Sequence, residues 1–315
     1  MKGSMRVLKS VVSLAAGAML MAAPAFSQNE NQGQGQAVVT VLPAHGGEAP
    51  ASLSRQDFTV KINGRESSIT NWTPLRGQND RLELVVLIDD SARSSIGTQM
   101  SEIAKFVESL PPNSKVAIAY MQNGVARFSG PLTADRAEAL RGLHITAGAP
   151  GSSASPYFCL SDLAKRWPSN DREARREVVM ITDGVDYYNP RYDPDDPYVQ
   201  SAVTDSVRAG LVVYSIYWQN RGRMDSTRYE TNAGQNLLLQ VTQATGGNSY
   251  WEGYGNPVSF EPFFKDLDRR LQNQYELSFT SALKGKPDVE TMKLKVSGVA
   301  GKIDAPQQVL VNRAM

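Results

Sequence analysis

Apolar and polar positions along this chain fall into distinct patterns, and each predicts a different element. The most marked is a nearly continuous apolar run: Leu82-Glu83-Leu84-Val85-Val86-Leu87-Ile88, ending on Asp89-Asp90, and later Val178-Val179-Met180-Ile181, followed by Thr182-Asp183-Gly184. Runs without polar alternation predict strands buried on both faces, as in a parallel sheet. Between them, apolar residues recur at helical spacing. Ile96, Met100, Ile103, Ala104, Val107 and Leu110 mark one helix, which Pro111-Pro112 stops. Further helices are predicted over 133–141, 160–167, 199–209, 235–245 and 257–273, and further strands over 116–120, 211–217 and 249–251. Strand and helix in alternation predict an α/β fold: a doubly wound, mostly parallel sheet over 80–274.

The flanks read differently. Val38, Val39, Val41 and Leu42, then Phe58-Thr59-Val60-Lys61-Ile62 closed by Asn63-Gly64, predict a small β unit over 37–75, because Asn-Gly between β-rich runs is a hairpin signal. Tyr275-Glu276-Leu277-Ser278-Phe279 and Met292-Lys293-Leu294-Lys295-Val296 alternate with period two, so 275–315 is expected to hold half-buried antiparallel strands. Those strands either form their own sheet or complete the unit of 37–75 as two halves of a sandwich. Residues 28–36 are polar and rich in Gly, Gln and Asn, and read as a flexible leader.

The first residues change the setting. Lys2, Arg6 and Lys9, an apolar run from Val11 to Ala23, then Pro24-Ala25-Phe26-Ser27 follow the order of a secretory signal, expected over 1–27 with cleavage after Ser27. The apolar run is shorter than the ~20 residues that span a bilayer, so no stable membrane anchor is expected after cleavage. The expected location is the periplasm or outside the cell. With 33 basic and 32 acidic residues, no bulk field recruits nucleic acid. Cys159 is the only cysteine, which leaves stability to the core.

In an open α/β sheet, ligands bind outside the carboxyl ends of the strands, and Asp89 and Asp183 both fall there. No Gly-rich phosphate loop, no GxSxG elbow and no histidine-rich metal set is present, so an enzyme is not expected. Paired Asp89 and Asp90 are the one feature a hydrolase reading could use. His45 and His144 lie far apart without ligand-like neighbours.

Val86-Leu87-Ile88-Asp89-Asp90-Ser91 and Met180-Ile181-Thr182-Asp183-Gly184 resemble the two best-known motifs of von Willebrand factor A (VWA) domains, DxSxS and a hydrophobic strand ending in Asp-Gly. Leu53-Ser54-Arg55-Gln56-Asp57-Phe58 and Gln274-Tyr275-Glu276-Leu277 are similar to the flanking text of an exported bacterial subgroup, and the resemblance covers most of 37–297. It implies a metal-ion-dependent adhesion site (MIDAS), in which hydroxyls and aspartates hold Mg²⁺ and an acidic group of the partner completes the sphere, a chemistry that suits a hard cation wanting six oxygens. Asp89, Ser91 and Asp183 match the pattern residue by residue. Ser153 is the expected ligand from a middle loop whose Ser152, Ser153 and Ser155 leave the position open. The chain departs from the pattern at Arg93, where the second serine of DxSxS would fall; counted from Asp90 instead, Ala92 replaces the first serine and Ser94 takes the last place. The implied site is therefore degenerate, with Mg²⁺ bound weakly or not at all.

The aromatic and acidic stretch 187–197 lies on the same edge, a composition suited to gripping a partner. Arg93, Ser155, Tyr187, Tyr188, Tyr192 and Asp193 are the expected partner contacts. The expected function is an exported module that binds a protein or peptide at the sheet's carboxyl edge. The alternative is a cell-envelope assembly scaffold with a vestigial site.

Overall fold

A computed structural model describes residues 32–44, 57–146, 151–189, 193, 195–220, 227–283, 286–297 and 301–313. The signal segment 1–27, His45 and Tyr192 lie outside the described residues. The chain opens with β1 (Gln32–Pro43), β2 (Phe58–Ile62) and β3 (Arg65–Pro74). Then follow β4 (Leu82–Asp89), α1 (Met100–Ser109), β5 (Lys115–Gln122), β6 (Val125–Phe128), α2 (Arg136–Leu140) and α3 (Pro156–Lys165). Next are β7 (Arg175–Thr182), α4 (Pro197–Arg208), β8 (Leu211–Tyr217), α5 (Arg228–Thr245), β9 (Ser249–Tyr250) and α6 (Glu261–Gln272). The chain returns to strands with β10 (Gln274–Ala282), β11 (Asp288–Val296), β12 (Gly301–Asp304) and β13 (Gln308–Arg313).

The doubly wound, mostly parallel sheet with a small flanking unit is corrected on two counts. First, the flanks are not small. Strands β1, β10, β3, β2, β11 and β13 pair in that order, all antiparallel, and β13 pairs back onto β1, so six strands close a barrel while β12 adds to the far end of β1. Second, the other six-stranded sheet, ordered β6-β5-β4-β7-β8-β9, is mixed, because β6 runs antiparallel to β5. The turn between them is Asn123-Gly124, with φ of 52° and 72°, the left-handed pair that a tight hairpin demands. Asn63-Gly64 does the same between β2 and β3, where Ile62 pairs with Arg65.

Physical reasons underlie the first correction. Along Gln32–Ala37 the exposed and buried positions alternate, with Gly33, Gly35 and Ala37 inside. A pattern of polar residues and glycine carries no apolar signal, so 28–36 reads as a leader although its second half begins β1. The glycines are required by what faces them. Gly35 pairs with Phe279, and a Cβ added at Gly35 would lie 2.4 Å from that ring's Cζ and 2.9 Å from the Leu310 carbonyl oxygen. Gly35→Ala is therefore expected to cost about 1–3 kcal/mol by overpacking, read as a lower urea midpoint with unchanged slope.

Buried apolar residues sort onto the two faces of the six-stranded sheet by strand alternation. Leu84, Val86 and Ile88 of β4 pack with α1 and α6, while Val85 and Leu87 pack with α3, α4 and α5. The barrel has its own core around Val39, Val60, Tyr275, Leu277 and Phe279. It docks at the amino ends of the parallel strands, where Arg175 Nη1 donates to the Leu75 carbonyl at 2.8 Å and Nη2 meets Asp80 at 2.7 Å. Further anchors include Arg270 with Asp304 and the Gln307 amide on the Gln243 carbonyl. The carboxyl edge, at the opposite end, stays clear of it. No helix among the described residues is long and apolar enough to cross a membrane.

Candidate functional site

Asp89 is the last residue of β4 and is fully buried. The apolar run before it delivers the carboxylate to the strand end, where four elements meet. Its Oδ1 accepts the Ser91 N–H at 2.9 Å, closing the turn that follows the strand. Its Oδ2 accepts the Thr182 hydroxyl at 2.7 Å and the Asn220 amide at 3.0 Å. Burial pushes the Asp89 carboxyl above its usual range, opposed by these hydrogen bonds and by Ser153.

Asp183 follows β7 and is equally buried. Its Oδ1 accepts the Val185 N–H at 3.0 Å and the Asn220 amide at 3.2 Å. The Asp-Gly pair has a steric cause. Gly184 has φ of 70°, and a Cβ on it would stand 2.6 Å from the Gly234 carbonyl of α5. The Gly184 carbonyl in turn accepts the buried Tyr157 hydroxyl at 2.6 Å.

Ser91 supplies the hydroxyl side of the site. Its Oγ lies 3.2 Å from both Ser152 Oγ and Ser153 Oγ and accepts the Ser153 N–H at 3.1 Å. The middle loop thus brings Ser152 and Ser153 together against Ser91. Ser155 does not face outward with the expected partner contacts. It is buried and caps α3, its hydroxyl accepting the Phe158 N–H at 3.4 Å.

The two frames of the first motif are now distinguishable. Asp89 is in the site, whereas Asp90 turns aside to accept the Gln122 amide at 3.1 Å, and Ser94 is exposed. Arg93 is half-buried, and its backbone is stitched to the neighbouring loop: its N–H donates to the Gln219 carbonyl at 3.2 Å and its carbonyl accepts the Trp218 indole at 3.4 Å. In the loop after β7, Tyr187 is half-buried, while Tyr188 and Asp193 are exposed. Asp196 caps α4 through the Tyr198 and Val199 N–H groups. Asp186 is buried, and its Oδ1 accepts the Tyr188 N–H at 2.8 Å. Cys159 is buried with its thiol pushed up by burial, and His144 stacks on Tyr120 at 4.1 Å.

Two residues that hold the site together are not among the expected site residues. Thr182 precedes Asp183 and had a signal, a polar residue closing an apolar strand. Asn220 had none: it lies three residues beyond β8 in polar text, and only the fold carries it to Asp89 and Asp183.

An Mg²⁺ ion makes definite demands on such a donor set. A hard cation needs free lone pairs at about 2.0–2.1 Å and keeps several waters. Here the Asn220 amide already donates to both carboxylates, Thr182 adds a third donor, and the motif has Arg93 in place of its second serine. The residues do not fit a resident cation.

A strand-edge aspartate pair joined to a serine loop, on a sheet flanked by helices, is the arrangement that the motif resemblance implies. Among solved structures the chain is similar to an aerotolerance-related membrane protein from Bacteroides fragilis, at 16% identity over 60% of this chain and 98% of that one, TM-score 0.42. It is also similar to a von Willebrand factor type A protein from Catenulispora acidiphila, at 11% identity over 90% of this chain and 74% of that one, TM-score 0.40. A third likeness is to proximal thread matrix protein 1 of the mussel byssus, solved with a zinc-occupied MIDAS motif, at 14% identity over 61% of this chain and 46% of that one, TM-score 0.38. At these scores the likenesses say nothing about what this chain binds. No family model and no curated protein matches the chain.

Proposed function

We propose that this chain is an exported VWA-like module, without catalytic activity, that binds a protein or peptide at the carboxyl edge of its six-stranded sheet. The observation that carries this reading is where apolar side chains are left in water. Of the seven exposed large hydrophobic residues among the described ones, six, namely Ile145, Tyr188, Tyr198, Tyr229, Tyr254 and Val258, lie in the carboxyl-edge loops or in the first turn of the helices that follow them. Scattered exposure needs no explanation, whereas concentration on one edge supports an interaction surface there. Tyr188, 64% exposed, and Tyr198 both pack on Phe158, at 5.1 and 4.7 Å between ring centroids, which seats both rings against the start of α3. Exposed tyrosines fixed in place lose little entropy on binding.

The test uses the mature chain as bait in an envelope extract. Any captured partner should bind Tyr188→Ala and Tyr254→Ala at least about tenfold more weakly, the usual size of a tyrosine anchor. Phe128→Ala, on the antiparallel β6, should bind normally. Equal loss from all three substitutions, or none from the two edge tyrosines, would count against the reading. A scaffold with a vestigial site is the second reading, favoured by the Asn220 amide between the carboxylates.

A further inference from the structure

We infer that Asn220 stands in the cation's place, so that this edge is held in its working shape by a side-chain amide and not by a metal ion. The argument is one of geometry and charge. Two buried carboxylates close enough to share one donor repel each other unless one keeps its proton or a donor lies between them. The Nδ2 group of Asn220 is that donor, giving one hydrogen to Asp89 Oδ2 at 3.0 Å and the other to Asp183 Oδ1 at 3.2 Å. Only this orientation of the amide works. Turned over, Oδ1 would face two carboxylate oxygens, and the two would no longer share a donor.

The position of Asn220 is fixed independently of those two bonds. Its backbone pairs with Ala92 in an isolated antiparallel bridge, the next residue back donates its N–H to Asn256 Oδ1 at 2.7 Å, and the Arg93 N–H reaches the Gln219 carbonyl. The loop after β8 is thereby clamped to the loop after β4, and the amide is delivered by backbone. Asn220 is fully buried, and its Oδ1 has no hydrogen-bond partner among the described residues. An orphaned buried acceptor is costly. That cost is accepted here because both hydrogens of the same amide are committed to Asp89 and Asp183. Ser91, Ser152 and Ser153 satisfy one another and need no cation either.

Isothermal titration of the mature wild-type protein with MgCl₂, MnCl₂ and CaCl₂ should show no saturable binding, and millimolar Mg²⁺ or EDTA should leave its Tm unchanged. Asn220→Asp removes the two donors and adds a third carboxylate. It should fold only with, or be raised several degrees in Tm by, a divalent cation, with binding at least tenfold tighter than wild type. Asn220→Ala, which opens the position without adding charge, should show a smaller gain in cation affinity. Saturable wild-type binding overturns the inference, as does the absence of any gain in two folded variants. Should both variants fail to fold with or without cation, the wild-type titration alone decides. None of these readouts involves a partner, so their failure is distinct from failure of edge recognition.

Discussion

Glu177→Gln is expected to stabilise the protein by about 3 kcal/mol above neutral pH and to leave its stability nearly unchanged in acid. Glu177 lies on β7, fully buried where the barrel docks on the sheet. Among the described residues neither carboxyl oxygen has a hydrogen bond of good geometry, and Arg175 Nε stands 3.8 Å away while that guanidinium is committed to Asp80 and Leu75. Burial therefore dominates and pushes the carboxyl from 4.5 to about 7, with Arg175 and the Gln274 amide pulling down and Asp80 pushing up. The sign follows from proton binding. Between 4.5 and about 7 the folded chain holds a proton that the unfolded chain has lost, so stability falls as pH rises through this window. Glutamine has no proton to lose. Urea unfolding of both proteins from pH 4 to 8 should give curves that coincide in acid and separate progressively toward pH 7. Parallel curves at all pH values would mean that the carboxyl titrates normally.

The second large effect is expected at Gly234→Ala. In an exposed helix interior this change helps by about 1 kcal/mol, because alanine loses less backbone entropy. Here a Cβ would lie 2.0 Å from the Asp183 carbonyl oxygen, and that atom is backbone with nowhere to go. The expected result is reversed in sign, a loss of at least about 3 kcal/mol, which corresponds to a Tm drop of about 5 °C for a chain of this size. Because α5 and the end of β7 must separate, the Asp183 carboxylate moves with them, and the Asn220 bridge should weaken too. A stabilised variant would show that the helix and the strand end are further apart than described.

These two residues also show what the sequence made legible and what it did not. β4 and β7 were readable because buried parallel strands must be apolar on both faces, and their closing aspartates were readable because they interrupt such runs. The barrel was legible only in fragments. Its inward positions are filled by Gly33, Gly35 and Ala37 on one strand and by Phe279 and Val311 on others, so small and large residues compensate between strands that are hundreds of positions apart. Hydrophobic periodicity is a property of one segment and cannot register a volume shared between two. The antiparallel β6 did leave a signal, Asn123-Gly124, of the same kind as Asn63-Gly64. Asn220 is the opposite case: nothing local distinguishes it from any loop asparagine, and its role exists only once β4, β7 and β8 lie side by side.

Closing the barrel between β1 and the last strands carries a kinetic cost. β1 pairs with β10, β12 and β13, partners that are made some 230 or more residues later. Contacts of such high sequence separation form late and slow folding. Until β10 is complete at residue 282, Gln32–Pro43 has no partner, and its other edge stays open until β12 and β13 follow, while every strand of the central sheet can already find its neighbours. A nascent chain should therefore pass through a stage with the central sheet formed and β1 unpaired, the stage at which it is most exposed to proteolysis and to pairing with another copy of itself.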